Sequence, residues 1–208
     1  MRAGDVGSDL RQEAVIDLTF RAKIVSMSED ERLDRILTAA YVCFTRYGVR
    51  RTTMDDIARE AGMSRPAVYQ YVRNKEDAFR RLTERMLNHA LADAREASRA
   101  ASVAPTERLV RVLEAKLGLA LTLWRDSPAH AAELLGADSR LSAELIDAYT
   151  VEMRTLLIEA TAGILPEDEA PEFADLLLAF TRGLEADPGR GSGDEHCSGC
   201  GVGGHGVS

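Results

Sequence analysis

Arg65, Tyr69, Gln70 and Tyr71 fall within seven consecutive residues, and each carries a group that nucleic acid can accept. An arginine reaches guanine O6 and N7 with two parallel donors, a glutamine pairs in the same manner with adenine, and tyrosine hydroxyls suit phosphate oxygens. Ala67 belongs to the same exposed face. Thr52 or Thr53, and Lys75, stand at helix starts, where backbone donors and a side chain together hold a phosphate. This is the chemistry of binding, not of turnover.

The elements that must position these residues are written in their caps. Thr53 with Asp56 starts a short helix carrying Ile57, Ala58 and Ala61, each side chain satisfying an orphan donor of the first turn. Gly62-Met63-Ser64 is a tight turn, Ser64 caps a second short helix, and Pro66 sits in its first turn, where a missing N–H is harmless. Helix, three-residue turn with glycine, helix is the spacing of a helix-turn-helix. Ala58 is the small residue its crossing requires, and Val68 and Val72 face inward to lock the second helix on the first. Three short helices in an ordinary bundle would account for the same pattern, but caps, turn, alanine and basic face all fall in register. Upstream, Ser28 with Glu31 caps a helix whose Leu33, Ile36, Leu37, Ala40, Phe44 and Tyr47 form an apolar stripe ending at Gly48. Downstream, Asn74 with Asp77 starts a long helix to about Ser98, followed by helices predicted at about 106–125, 128–136, 139–161 and 169–186.

Composition and charge narrow the class. The 208 residues include 30 Ala and 24 Leu but only 5 Phe, 5 Tyr and 1 Trp, a balance that favours helices over sheets. The net charge of −8 is uneven: residues 31–85 hold twelve Lys/Arg against eight Asp/Glu, and the remainder is strongly acidic. Charge therefore has to be judged by segment, and the basic segment is the one with the motif. No apolar run is long enough to span a membrane. The first 26 residues scatter charge and lack a signal-like apolar core, which points to a cytoplasmic protein with no membrane partner. No G-x-S-x-G elbow, phosphate-cradling glycine loop or H-E-x-x-H pair occurs. Asp55 and Asp56 are neighbours, so they splay about 100° apart on a helix and cannot flank one substrate. No enzyme and no cofactor is expected.

The stretch 36–79 resembles the DNA-binding domain of the tetracycline-repressor (TetR) family, through Ala39-Ala40…Phe44…Gly48, Thr52-Thr53…Ile57-Ala58…Ala61-Gly62-Met63-Ser64, and Tyr69…Lys75-Glu76. The resemblance implies an all-α homodimer: an N-terminal three-helix helix-turn-helix domain on double-stranded DNA with a palindromic operator, and a helical ligand-binding and dimerisation domain behind it. Such proteins usually repress transcription and leave DNA when a small molecule binds. By position it marks Thr53, Arg65, Ala67, Tyr69, Tyr71 and Lys75 as DNA-contacting, and with Ser64 and Gln70 these form the expected interface. Tyr71 stands where the family often has His, and Val72 where it often has Phe.

The domains expected are an extension over 1–27, a DNA-binding domain over 28–74, a ligand-sensing and dimerisation domain over 75–187, and a glycine-rich tail over 188–208. Extension and tail are expected to be disordered, and Met27, just before the first capping box, is the expected natural start. Leu117, Trp124, Tyr149, Met153 and Phe180 are the side chains expected to line a pocket for an unidentified effector, although such stripes more often form core. His89, His130 and Arg154 are isolated and read as surface residues, and Cys43 as a small buried hydrophobe. Phe173, Leu176, Leu177, Phe180 and Leu184 form a stripe expected at the dimer interface. The family commonly adds one more helix, whose place is taken here by the tail. Its His196, Cys197, Cys200 and His205 have zinc-ligand chemistry, so a metal-responsive regulator is the alternative reading. A single CxxC in glycine-rich chain must, however, overcome a large ordering entropy, and no metal is assigned.

Overall fold

A computed structural model describes residues 28–136 and 142–186. Among these described residues eight helices follow in order: α1 Glu29–Tyr47, α2 Met54–Ala61, α3 Arg65–Tyr69, α4 Lys75–Arg99, α5 Pro105–Asp126, α6 Ala131–Gly136, α7 Ala143–Ala160 and α8 Ala170–Ala186. The described residues are all-α apart from one isolated bridge between Ala162 and Leu165. The extension, the tail with its Cys and His residues, and the start expected near Asp138 lie outside the described residues.

Local chemistry sets the helix starts. Ser28 and Glu31 form a reciprocal capping box, with Ser28 N–H donating to Glu31 Oε2 at 2.7 Å. Thr53 and Asp56 form a second, and Asn74 Oδ1 accepts the Asp77 N–H at 2.7 Å. Gly62 adopts φ 64°, the left-handed conformation that suits glycine. Its N–H donates to Arg59 O and that of Met63 to Ala58 O, at 3.1 and 3.0 Å. That pair of bonds is a Schellman motif, and it turns the chain sharply into α3.

Two apolar cores lie end to end. The first holds Ile36, Phe44, Ile57, Val68, Val72 and Phe79, with Leu123 and Leu134 reaching in from α5 and α6. The second holds Leu87, Leu91, Ala94, Val112, Met153, Leu157 and Leu178. Helix α4 belongs to both: Ala78, Phe79 and Leu82 serve the first, and Leu87 to Ala94 the second. The expected division between residues 74 and 75 therefore coincides with the start of a helix that both cores share.

A second link joins the cores at the end of α1. Tyr41 Oη donates to Asp126 Oδ2 at 2.7 Å, and Ser127 Oγ donates to Thr45 O. The Arg50 N–H donates to Glu133 Oε1 at 3.2 Å. Gly48 turns with φ 78°, and a Cβ there would meet Glu133 Oε2 at 2.6 Å. Ser127, expected only as a helix boundary, thus holds the α1 C-terminus.

Phe44 is fully buried, its ring 5.4 Å from that of Phe79. Phe44→Ala should destabilise the protein by about 3–5 kcal/mol, because the cavity it leaves cannot collapse between two helices. Urea unfolding followed by circular dichroism measures this, and a loss under 1 kcal/mol would contradict the assignment of Phe44 to the shared core.

Candidate nucleic-acid interface and the cavity behind it

The cap residues of three helices converge on one surface. Lys75 Nζ donates to Arg50 O at 3.2 Å, which brings the start of α4 against the loop before Thr53. Arg65 Nη1 donates to Asp55 Oδ2 at 3.3 Å, bringing the start of α3 against the start of α2. Arg65 also donates to Tyr69 Oη at 3.2 Å and stands over the Tyr69 ring. These two contacts raise the guanidinium's pKa, the Tyr69 hydrogen bond contributing most. Tyr69 and Gln70 are exposed, and Val68 and Val72 are buried beneath them. Buried valines thus hold an exposed face they do not themselves display.

The expected contact residues divide by environment. Thr53, Ser64, Arg65, Tyr69 and Gln70 are exposed, and Ala67 and Lys75 are half-buried. Ser64 and Thr53 are also spent as caps, since Ser64 Oγ accepts the Ala67 N–H at 3.4 Å. Tyr71 is half-buried and packs on the first core, its hydroxyl accepting from Arg32 Nη1 at 3.3 Å. It faces the start of α1 and not the Arg65–Tyr69 surface. Thr52 is buried, with its Oγ1 donating to Gly48 O at 2.8 Å, so of the two threonines only Thr53 faces solvent. Arg50, Arg51 and Arg73 are exposed beside the same caps. Sequence reasoning passed over them because loop arginines carry no periodic signal.

Behind this surface lies a cavity of about 340 Å³, within the usual size of a small-molecule site. Its walls come from α1, α4, α5, α6, α7 and α8. Its first-core side carries Phe44, Phe79, Leu82, Leu123 and Leu134, with Tyr41, Thr45 and Thr83 also in the lining. Lys116, Tyr149, Arg182 and Glu185 also line the cavity. Lys116 is 7% exposed and its ammonium contacts the Glu185 carboxylate. Burial, reinforced by Glu185, raises the Tyr149 hydroxyl's pKa.

Of the five side chains expected to line a pocket, only Tyr149 does. Met153 is fully buried in the second core, Leu117 is half-buried off the cavity, and Trp124 Nε1 donates to Glu185 O at 3.0 Å. Phe180 points outward, 63% exposed. Helical spacing identified an apolar face on each helix but not which neighbour covers it. Leu176 and Leu184 are exposed with Phe180, whereas Phe173 and Leu177 are half-buried. Arg154 forms a two-bond pair with Asp175, at 2.6 and 2.9 Å. His89 lies 3.0 Å from Asp93, and half-buried His130 reaches Glu133 at 3.8 Å. Cys43 is buried, which pushes its thiol pKa up to about 11. Among the described residues no His/Cys/Asp/Glu cluster could hold a metal, and no helix is long and apolar enough to cross a membrane.

An all-α chain with a capped helix-turn-helix ahead of a helical body is of the helix-turn-helix class. Residues 36–82 match the family of bacterial regulatory proteins described as the tetR family, and the likeness covers that segment of the chain. An uncharacterised HTH-type transcriptional regulator of Bacillus subtilis, YfiR, is 41% identical over 69 residues, covering 33% of this chain and 34% of that protein. This chain thus spans about a third of that relative's length. The fold is similar to a transcriptional regulator from Rhodococcus sp. Rha1, with TM-score 0.60, 26% identity and coverage of 74% and 82% of the two chains. It is also similar to the fatty acid degradation regulator FadR from Bacillus halodurans, with TM-score 0.61, 17% identity and coverage of 77% and 85%.

Thr53→Ala removes the α2 capping box and should cost about 0.5–2 kcal/mol of stability. Asp56, whose pKa the Thr53 side-chain and backbone hydrogen bonds lower, stabilises the folded state above its unfolded pKa. That contribution is lost as pH falls through the depressed folded value. Urea titrations of wild type and Asp56→Asn should therefore differ at pH 7 and converge near pH 2. A difference that persists unchanged in acid would contradict the cap.

Proposed function

We propose that this protein is a cytoplasmic DNA-binding transcriptional repressor, a homodimer on a palindromic operator that a small molecule releases. The observation that carries the reading is the exposed Arg65–Tyr69–Gln70 face, held by buried Val68 and Val72 and flanked by the caps at Thr53, Ser64 and Lys75. Arg65 reads a base edge after exchanging Asp55 for DNA, and Gln70 stands beside it. Thr53, Ser64, Tyr69 and Lys75 hold phosphates, with Ala67 on the same face. Tyr71, packed on the first core and bonded to Arg32, stands apart from this face.

One recognition helix covers too little DNA for tight binding, and a dyad supplies the second, about 34–36 Å away. Leu176 and Phe180 are 62% and 63% exposed on α8, an apolar face that pairing with a second copy would cover. Phe173, Leu177 and Leu184 flank it. The cavity touches α4 at Phe79, Leu82 and Leu87, so an occupant acts on the helix that carries the head.

Arg65→Ala should cost about 1–3 kcal/mol and relax preference at one base position. Lys75→Ala should weaken all sequences alike and flatten the salt dependence. Competition binding on an operator and its point variants checks both, and equal loss of specificity in the two mutants would refute this division of roles. Leu176→Glu with Phe180→Glu should give helical monomers that no longer shift operator DNA. Light scattering beside a DNA-shift assay decides it, and a normal dimer would move the interface elsewhere.

A further inference from the structure

The cavity's electrical asymmetry says what kind of molecule fills it, on the reading above that it is an effector site. Buried Lys116 and exposed Arg182 bring two positive charges to its lining, and half-buried Glu185 brings one negative charge. Arg182 has no ion-pair partner among the described residues. Tyr149 is 9% exposed and its hydroxyl makes no hydrogen bond among the described residues. The lining therefore holds an excess positive charge and an open donor. Leu123, Leu134 and Phe44 offer only hydrocarbon at the other end. Lys116 and Leu123, seven residues apart on α5, are separated by about 10 Å of helix rise.

A neutral apolar guest leaves the Tyr149 donor unpaired out of water, which is unfavourable. A cationic guest adds like charge beside Lys116 and Arg182, with Glu185 already engaged by Lys116, which is worse. A monoanion neutralises the excess and accepts from Tyr149. We infer that the cavity binds an amphipathic monocarboxylate, its hydrocarbon among Phe44, Leu82 and Leu134 and its carboxylate between Lys116, Tyr149 and Arg182. Glu185 is the competitor for the same ammonium, so the guest's carboxylate takes its place on Lys116. Because Glu185 sits in the last turn of α8, that exchange unfastens one of the two bonds that tie α8 to α5. The other is the Trp124 bond to Glu185 O.

The test uses the full chain at pH 7.5 and a neutral fluorescent probe, N-phenyl-1-naphthylamine, displaced by decanoate, decanol or decylamine below their micelle concentrations. In wild type, decanoate should displace the probe at a concentration at least tenfold below decanol, with decylamine weakest. Tyr149→Phe, which keeps the ring, and Lys116→Met should each shift decanoate by about tenfold or more and shift decanol, which lacks the charge, far less. Glu185→Gln should tighten decanoate binding several-fold by removing its competitor. A purely structural role for the Lys116–Glu185 pair would instead lower the melting temperature of Glu185→Gln and leave decanoate binding where it was. Equal displacement by decanoate and decanol, or strongest displacement by decylamine, overturns the carboxylate inference while the effector cavity stands. Failure of the neutral probe to bind at all overturns the cavity reading itself.

Discussion

Helix α4 is buried at both ends in different cores, and the rest of the architecture depends on that constraint. Phe79 packs on Phe44 in the first core, while Leu87, Leu91 and Ala94 are held by α5, α7 and α8. Interiors close-packed on both sides do not deform smoothly. A displacement of α4 in one core is therefore felt in the other. The cavity occupies the junction, with Phe79, Leu82 and Leu87 as part of its wall.

The joint at the end of α1 gives the head a second anchor. Tyr41, Thr45 and Arg50 are each hydrogen-bonded to α5 or to the segment that follows it, through Asp126, Ser127 and Glu133. Residue Arg50 is gripped on both sides, its N–H by Glu133 and its carbonyl by Lys75. Leu134 and Leu135, next to Glu133 on α6, line the cavity. The loop that leads into Thr53 is thus fixed by residues on both sides of the junction, and the φ of 78° at position 48 favours glycine there.

Electrostatics separates the two ends of the molecule. The net charge of −8 would repel nucleic acid if it were uniform. Arginines and Lys75 instead gather around the caps of α2, α3 and α4, and Asp55 holds Arg65 in place on that surface. Long-range repulsion from the acidic body is screened over about 8–10 Å at physiological salt, so the local basic surface governs contact. Lys116, buried in the cavity wall, is screened less.

The sequence by itself determined the all-α class, the capped helix starts at Ser28, Thr53 and Asn74, and the turn at Gly62. Each of these depends on partners three to five residues apart, so neighbouring letters suffice to read them. It also separated buried Val68 and Val72 from exposed Arg65, Tyr69 and Gln70 by their spacing. Tertiary structure alone decided the rest. The direction of Tyr71 follows from Arg32, 39 residues away, and the cavity's charged lining from Lys116 and Glu185, 69 residues apart. Trp124, Met153 and Phe180 have the same apolar character in sequence, yet one is tied to a carbonyl, one is sealed in a core and one faces solvent. An apolar period says that a helix has a face to cover. What covers it is a matter of how distant helices pack, and that is set by the whole chain closing at once.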